Sequence, residues 1–162
     1  MLGTFQVRLA TPQDAATIAW HRARMFQDMG QISENAFETL RTKAQARIEE
    51  WLERGEYLGW LAIRGERPDV VIAGAGVHLQ RILPRPLNPS AAGEGRQATI
   101  VNVFTEPEWR KRGLATLLLK EIIKWSRTEN LDRLVLHASK EGRALYEKLG
   151  FVLNNEMRFE GE

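Results

Sequence analysis

The sequence predicts one α/β (α+β) domain spanning residues 1–162, with a mixed central sheet of six to seven strands flanked by about four helices. Three observations carry that expectation. Strand-like and helix-like stretches succeed one another in the order β, α, α, β, β, β, α, β, α, β. A strand, helix, strand run near residues 98 to 137 implies a parallel pair, because parallel neighbours need a crossover. Apolar runs parted by short turn sequences imply antiparallel neighbours as well, so the sheet should be mixed.

Each element has its own signal. Phe5 to Leu9 (FQVRL) alternates apolar and polar residues and reads as a strand, ended by "TPQD", where Thr11 can cap and Pro12 suits a first helical position. Ile18, Arg22, Met25 and Met29 recur at helical spacing until Gly30 stops the pattern. Ser33 can cap a second helix, whose apolar positions Phe37, Leu40, Ile48 and Leu52 carry it to Gly55. Tyr57 to Ile63 and Val70 to Leu79 read as a hairpin around "RGERPD". Arg81 to Arg96 holds three of the six prolines and is expected to be a long irregular connection. Ala98 to Thr105 (ATIVNVFT) is β-rich, a helix runs from about Lys111 to Thr128, and Arg133 to His137 is a strand. Ser139 is expected to cap a helix through Leu149, and Phe151 to Phe159 to supply one or two further strands.

Composition narrows the function classes. Hydrophobic residues make up 43% and charged residues 27%, ordinary for a globular protein, and no apolar run approaches the roughly 20 residues that span a bilayer. The N-terminal stretch lacks the basic start and apolar segment of a secretory signal, so a cytoplasmic location is the expectation. Without a single cysteine there is no disulfide, thiolate metal site or cysteine nucleophile. A net charge of +2 does not argue for nucleic acid, and the basic residues near Arg110 lack the interleaved aromatics that stack bases. No metal and no membrane partner is expected.

The chemistry-bearing stretch is "EPEWRKRGLATLLLKEII", Glu106 to Ile123: three cations against a glycine at the start of an apolar helix. The first N–H groups of a helix lack internal partners and carry the positive end of its dipole, so this is where an anion binds. Cations of a merely solvated face would sit at the wrong end for that dipole. The strand, the turn Arg110-Lys111-Arg112-Gly113-Leu114-Ala115 and the helix resemble the acyl-CoA pyrophosphate site of the GNAT superfamily of N-acyltransferases, whose pattern Arg110, Gly113 and Ala115 fill. "EPEWR", "LVLHAS" and "GRALYEKLGF" resemble the same family in the right order, over about Ala98 to Phe159.

The resemblance implies the GNAT fold and acetyl-CoA as cosubstrate. It implies main-chain contacts to the pantetheine arm from Val103, Phe104 and Thr105. Arg110 and Lys111, Arg112, Gly113, Leu114, Ala115 and Thr116 would hold the pyrophosphate. Ser139 stands where the family often has a cofactor-contacting Asn, and it reads equally as a helix cap; Lys140 and Arg143 are candidates for the nucleotide phosphates. The implied reaction is direct attack of a neutral amine on the thioester, with Tyr146 as general acid, protonated at neutral pH because a phenol's pKa lies near 10. Where many relatives carry a glutamate base, this chain has Ile100, Val101 and Asn102. Glu106, His78, Asp28 and Glu34 are the candidates left for that role, with a water relay from an amine already partly neutral as the alternative. Acceptor contacts are expected from His21 to Gly30 and Asn154 to Phe159.

Three functions follow. The favoured one is acetyl transfer to a primary amine of a small molecule. The alternatives are a protein lysine or N-terminal acetyltransferase, using the Pro-rich loop or its Arg81, Arg85 and Arg96, and a non-catalytic acyl-CoA-binding regulatory domain. The oligomeric state stays open, a homodimer included.

Overall fold

The structure is a computed structural model that describes residues 4–65 and 67–161. In chain order it contains β1 (Phe5–Leu9), a 3-10 turn at Pro12–Asp14, α1 (Ala15–Asp28), α2 (Glu34–Arg54), β2 (Tyr57–Arg64) and β3 (Arg67–Arg81). There follow a two-stranded ribbon of β4 (Pro86–Asn88) and β5 (Ala91–Ala92), then β6 (Arg96–Thr105), a 3-10 turn at Pro107–Trp109, α3 (Leu114–Thr128), β7 (Arg133–Leu136) and α4 (Arg143–Lys148). The main sheet has the order β1-β2-β3-β6-β7; the first three pairings are antiparallel and β6 with β7 is parallel. None of the described helices is long and apolar enough to cross a membrane.

Strand alternation sends two different residue sets to the two faces. Trp60, Ala62, Ala73, Ala75, Val77, Ala98 and Ile100 form one core with Leu114, Leu118, Leu119 and Ile122 of α3. The strand alanines let the helix lie close, and the three innermost side chains of α3 have no exposed surface. Each such burial contributes about 1.5–3 kcal/mol. On the other face α1 and α2 cover Tyr57 and Leu61 with Ala15, Ile18, Ala19 and Ile48. The entry into α1 is held by Asp14, whose carboxylate takes two hydrogen bonds from Arg8 at 2.8 and 2.9 Å and one from the Thr11 amide at 2.8 Å.

Most expected elements appear with shifted ends. The second helix runs from the residue after Ser33 to a left-handed Gly55, and Arg67 joins β3, which leaves a shorter hairpin turn in which Glu66 lies outside the described residues. The Pro-rich connection is not wholly irregular: β4 and β5 pair within it, and the Asp132 carboxylate accepts hydrogen bonds from the amides of Glu94 and Gly95 at 3.1 and 2.8 Å. The expectation for α4 is corrected. Ser139 caps a preceding turn, its hydroxyl accepting from the Gly142 amide at 3.1 Å, and regular helix begins only at Arg143. The strand count is corrected too, since the main sheet has five strands among the described residues. Phe151 to Gly161 forms no strand, and Val152, Leu153, Met157 and Phe159 are exposed. Strand propensity is largely a preference for a partnered, half-buried surface, and this segment finds none here.

Candidate active site

The site is organised by a bulge in β6. Gly74 of β3 faces Phe104 and Gly76 faces Val101, so Ala75 alone stands opposite two residues, Asn102 and Val103. One extra residue bends the strand and turns a side chain to a new face. Asn102 takes φ 58, a left-handed conformation that asparagine tolerates better than most residues. Its buried side chain donates from Nδ2 to the Tyr57 hydroxyl at 3.1 Å and accepts at Oδ1 from Arg22 Nη1 at 2.8 Å. The Tyr57 hydroxyl lies across Gly76, where a methyl group would overlap it. Burial pushes the Tyr57 pKa up to about 12, which keeps the hydroxyl protonated within this network.

Beyond the bulge the sheet splits. β6 and β7 pair from Gln97 with Arg133 to Ile100 with Leu136 and no further, so Val101 to Thr105 have β3 on one side and no strand on the other among the described residues. The phosphate-type turn lies at the open end of this gap. Lys111 and Gly113 adopt φ 61 and φ 80, and the first main-chain bond closing α3 runs from the Leu117 amide to the Gly113 carbonyl at 3.0 Å. The amides of Leu114, Ala115 and Thr116 therefore have no helical partner. No carboxylate occupies the first turn of α3, and a methyl group added to Gly113 would meet no atom within 4 Å. Open amides, a positive helix end and flanking cations suit a diphosphate, so the residues present fit the acyl carrier that the sequence motif implies.

The cations of the turn divide. Arg110 reaches back, donating to the Thr105 carbonyl at 2.9 Å and to Asp28 at 2.7 Å, and so ties the turn to the end of α1. Arg112 lies 4.9 Å from the Trp109 ring centre. Tyr146 is half-buried against the apolar cluster that holds Leu114, and Val103 packs against that same cluster. Burial raises the phenol's pKa above its ordinary value, so it is protonated at neutral pH. Arg143 forms an exposed pair with Glu147 at 2.7 Å.

Of the four carboxylate and imidazole candidates for a base, Glu106 has the most distinctive surroundings. Its Oε1 lies 3.4 Å from Nε2 of His21, a buried residue of α1 whose ring centre is 4.8 Å from that of Phe104. Burial, and secondarily the positive charge of Arg24, pushes the His21 pKa down to about 4, so the imidazole is neutral at neutral pH. Burial also raises the pKa of Glu106. His78 instead stacks on Trp51 with ring centres 3.7 Å apart, Asp28 is engaged by Arg110, and Glu34 is an exposed first-turn residue of α2.

Arg81, Arg85 and the Pro-rich loop sit before the start of β6, whereas the phosphate-type turn follows its end. Those two places are about 30 Å apart along the ten-residue strand. Sequence reasoning placed His21 and Arg22 only within a stretch expected to contact the acceptor, named Asn102 only as standing where relatives carry a base, and missed Tyr57. A signal existed for one of them: Arg22 shares a helical repeat with Ile18, Met25 and Met29, and a charge on an apolar stripe needs a reason.

The model of the Acetyltransferase (GNAT) family matches residues 19–151. No curated protein matches the chain. Among solved structures, a GCN5-related N-acetyltransferase from Ralstonia eutropha JMP134 superposes with a TM-score of 0.84 at 23% identity, covering 96% of this chain and 97% of that one. A predicted acetyltransferase from Clostridium acetobutylicum, solved with acetyl-CoA, gives a TM-score of 0.82 at 26% identity, with 98% and 96% covered. Glucosamine-6-phosphate N-acetyltransferase from Arabidopsis thaliana gives 0.65 at 12% identity, with 98% of each chain covered. With a family model that begins within α1 and covers the bulged strand, the phosphate-type turn and Tyr146, this chain belongs to the GNAT acetyltransferase family.

Proposed function

We propose that the chain transfers the acetyl group of acetyl-CoA to a primary amine of a small molecule, with both substrates bound together. The observation that carries this reading is the gap between β6 and β7 opening onto the uncapped start of α3. In this reading the main chain of Val103, Phe104 and Thr105 holds the pantetheine arm along the free strand edge. The amides of Lys111 to Thr116 hold the diphosphate, and Ser139 and Arg143 approach the nucleotide end. Acetyl-CoA supplies a thioester carbonyl open to attack and a thiolate that can leave.

The protein's own groups then manage protons. Glu106 accepts the proton of the amine, its basicity raised by burial, while neutral His21 braces the carboxylate without cancelling its charge. Tyr146, kept protonated, gives its proton to the departing sulfur. The amide of Val103 or Phe104 is the donor for the carbonyl oxygen as it gains charge. A small acceptor is favoured over a protein chain because the loop thought able to grip a chain, with Arg81 and Arg85, lies at the opposite end of β6 from the turn.

The test is thiol release from acetyl-CoA across an amine panel and a peptide panel, read beside equilibrium binding of acetyl-CoA. Turnover on amines but not peptides is expected. Binding without turnover on either panel would replace this function with that of an acyl-CoA-binding regulatory domain.

A further inference from the structure

Arg22 is a cation with an unfinished set of partners. It is half-buried, and burial lowers its pKa from the ordinary value. Among the described residues no carboxylate lies within ion-pair distance of it, in contrast to Arg8 with Asp14 and Arg110 with Asp28. One guanidinium nitrogen, Nη1, is spent on Asn102, and one face lies over the Phe26 ring at 4.9 Å. Among the described residues the Nε–Nη2 edge has no hydrogen-bond partner, and it is not sealed from solvent. A desolvated guanidinium normally recovers its lost hydration through a paired anion, and its planar edge matches the two oxygens of a carboxylate.

Its place gives that edge a meaning. Arg22 is fixed to the side chain of Asn102, the bulge residue that directly precedes Val103, whose amide is proposed to face the thioester. His21, its neighbour on α1, contacts Glu106 on the same sheet face. We infer that Arg22 is the oxyanion-binding residue of the acceptor pocket, and that the acceptor is an amine that also carries a carboxylate. The inference rests on the acetyl-transfer reading above. Glu106 faces the amine and the open edge of Arg22 faces the carboxylate, so the pair recognises an amino acid by its two ends. A dianionic phosphate fits less well. Arg110 nearby is already paired with Asp28, and Glu106 repels a second negative charge.

The experiment compares acceptors that differ only in the anion: α- and ω-amino acids, each against its carboxamide, and phosphoethanolamine against ethanolamine. Wild type, Arg22→Gln and Arg22→Lys are assayed at saturating acetyl-CoA. At least one amino acid should exceed its carboxamide by about 10- to 100-fold in kcat/KM, mainly through KM. Arg22→Gln should erase that preference, and Arg22→Lys, which keeps the charge but loses the flat edge, should retain a fraction of it. The ratio is internal to each variant, so a partly destabilised Arg22→Gln still reports it, and Arg22→Lys reports it if the glutamine variant does not fold. Equal use of amino acid and carboxamide by wild type, or a preference that survives in the Arg22 variants, overturns the carboxylate site while acetyl transfer stands. A phosphoethanolamine preference lost in Arg22→Gln overturns the choice of carboxylate. If acetyl-CoA binds but no amine is acetylated, the acetyl-transfer reading falls and takes this inference with it.

Discussion

The two faces of the sheet are built on opposite principles although they share the same strands. The face under α3 is apolar throughout, with Leu118, Leu119 and Ile122 set against alanines of β2, β3 and β6. The face under α1 and α2 holds His21, Tyr57 and Asn102 in the interior, and room for them is made by Gly74 and Gly76. A single strand shows the division: in "AGAG", residues 73 to 76, the alanines face α3 and the glycines face α1. Apolar contacts are interchangeable and additive, whereas a buried polar group is costly unless its partners are in place. The α3 side is therefore suited to holding the fold and the cofactor end, and the α1 side to discriminating an acceptor.

The largest effect should come from the turn at the head of α3. Gly113→Asp sets a carboxylate among the open amides, where like-charge repulsion costs several kcal/mol, so acetyl-CoA affinity should fall by about 100-fold or more in calorimetry. Unchanged affinity would remove the turn from the cofactor site. Tyr146→Phe should leave acetyl-CoA affinity intact while kcat falls by roughly 10²- to 10⁴-fold, the range for a lost general acid. A variant with full kcat would show that the phenol is only a packing group. Leu119→Ala, on the apolar face, should cost about 2–5 kcal/mol in urea denaturation, with amine selectivity unaltered. A shifted amine preference there would break the division between the faces.

The remaining two predictions probe the polar face. His21 has a folded pKa of about 4, below its ordinary 6.5, so on acidification the unfolded chain takes up a proton that the folded chain refuses. The stability tied to His21 is complete above pH 6.5 and is lost as the pH falls towards 4, by roughly 3 kcal/mol. His21→Gln should remove that slope, measured as urea midpoints at pH 7 and pH 4.5. Asp14, whose pKa Arg8 holds below the ordinary carboxylate value, has the same sign but acts at lower pH and does not blur the window. Tyr57→Phe should cost about 1–2 kcal/mol, because the Asn102 Nδ2 donor loses its partner in the interior. The more informative readout is kcat, which should fall if the bulge needs that hydrogen bond to hold its shape.

Legibility of the sequence followed the same division. The apolar repeat of α3, the glycine at its head and the Tyr-containing segment were readable because each signal is local: a period, a capping residue, a short motif. Arg110 shows the limit even there. Its place in the motif is plain from the sequence, but its side chain turns away to Asp28, 82 positions earlier, a partner no local pattern names. The C-terminal stretch is the reverse case, expected to supply strands yet lying unpaired among the described residues.

The amino-acid order alone determined the succession of strands and helices, the glycine-containing turn from Arg110 to Thr116 and the family resemblance that they carry. Only the folded chain decided that Asn102 would sit in a bulge, that Arg22 and Tyr57 would meet on it, and that His21 would reach Glu106. Those contacts join residues 45 to 85 positions apart. The physical reason is that periodicity and capping act within a few turns of chain, whereas a bulge redirects a side chain towards whatever the tertiary packing has brought across the sheet.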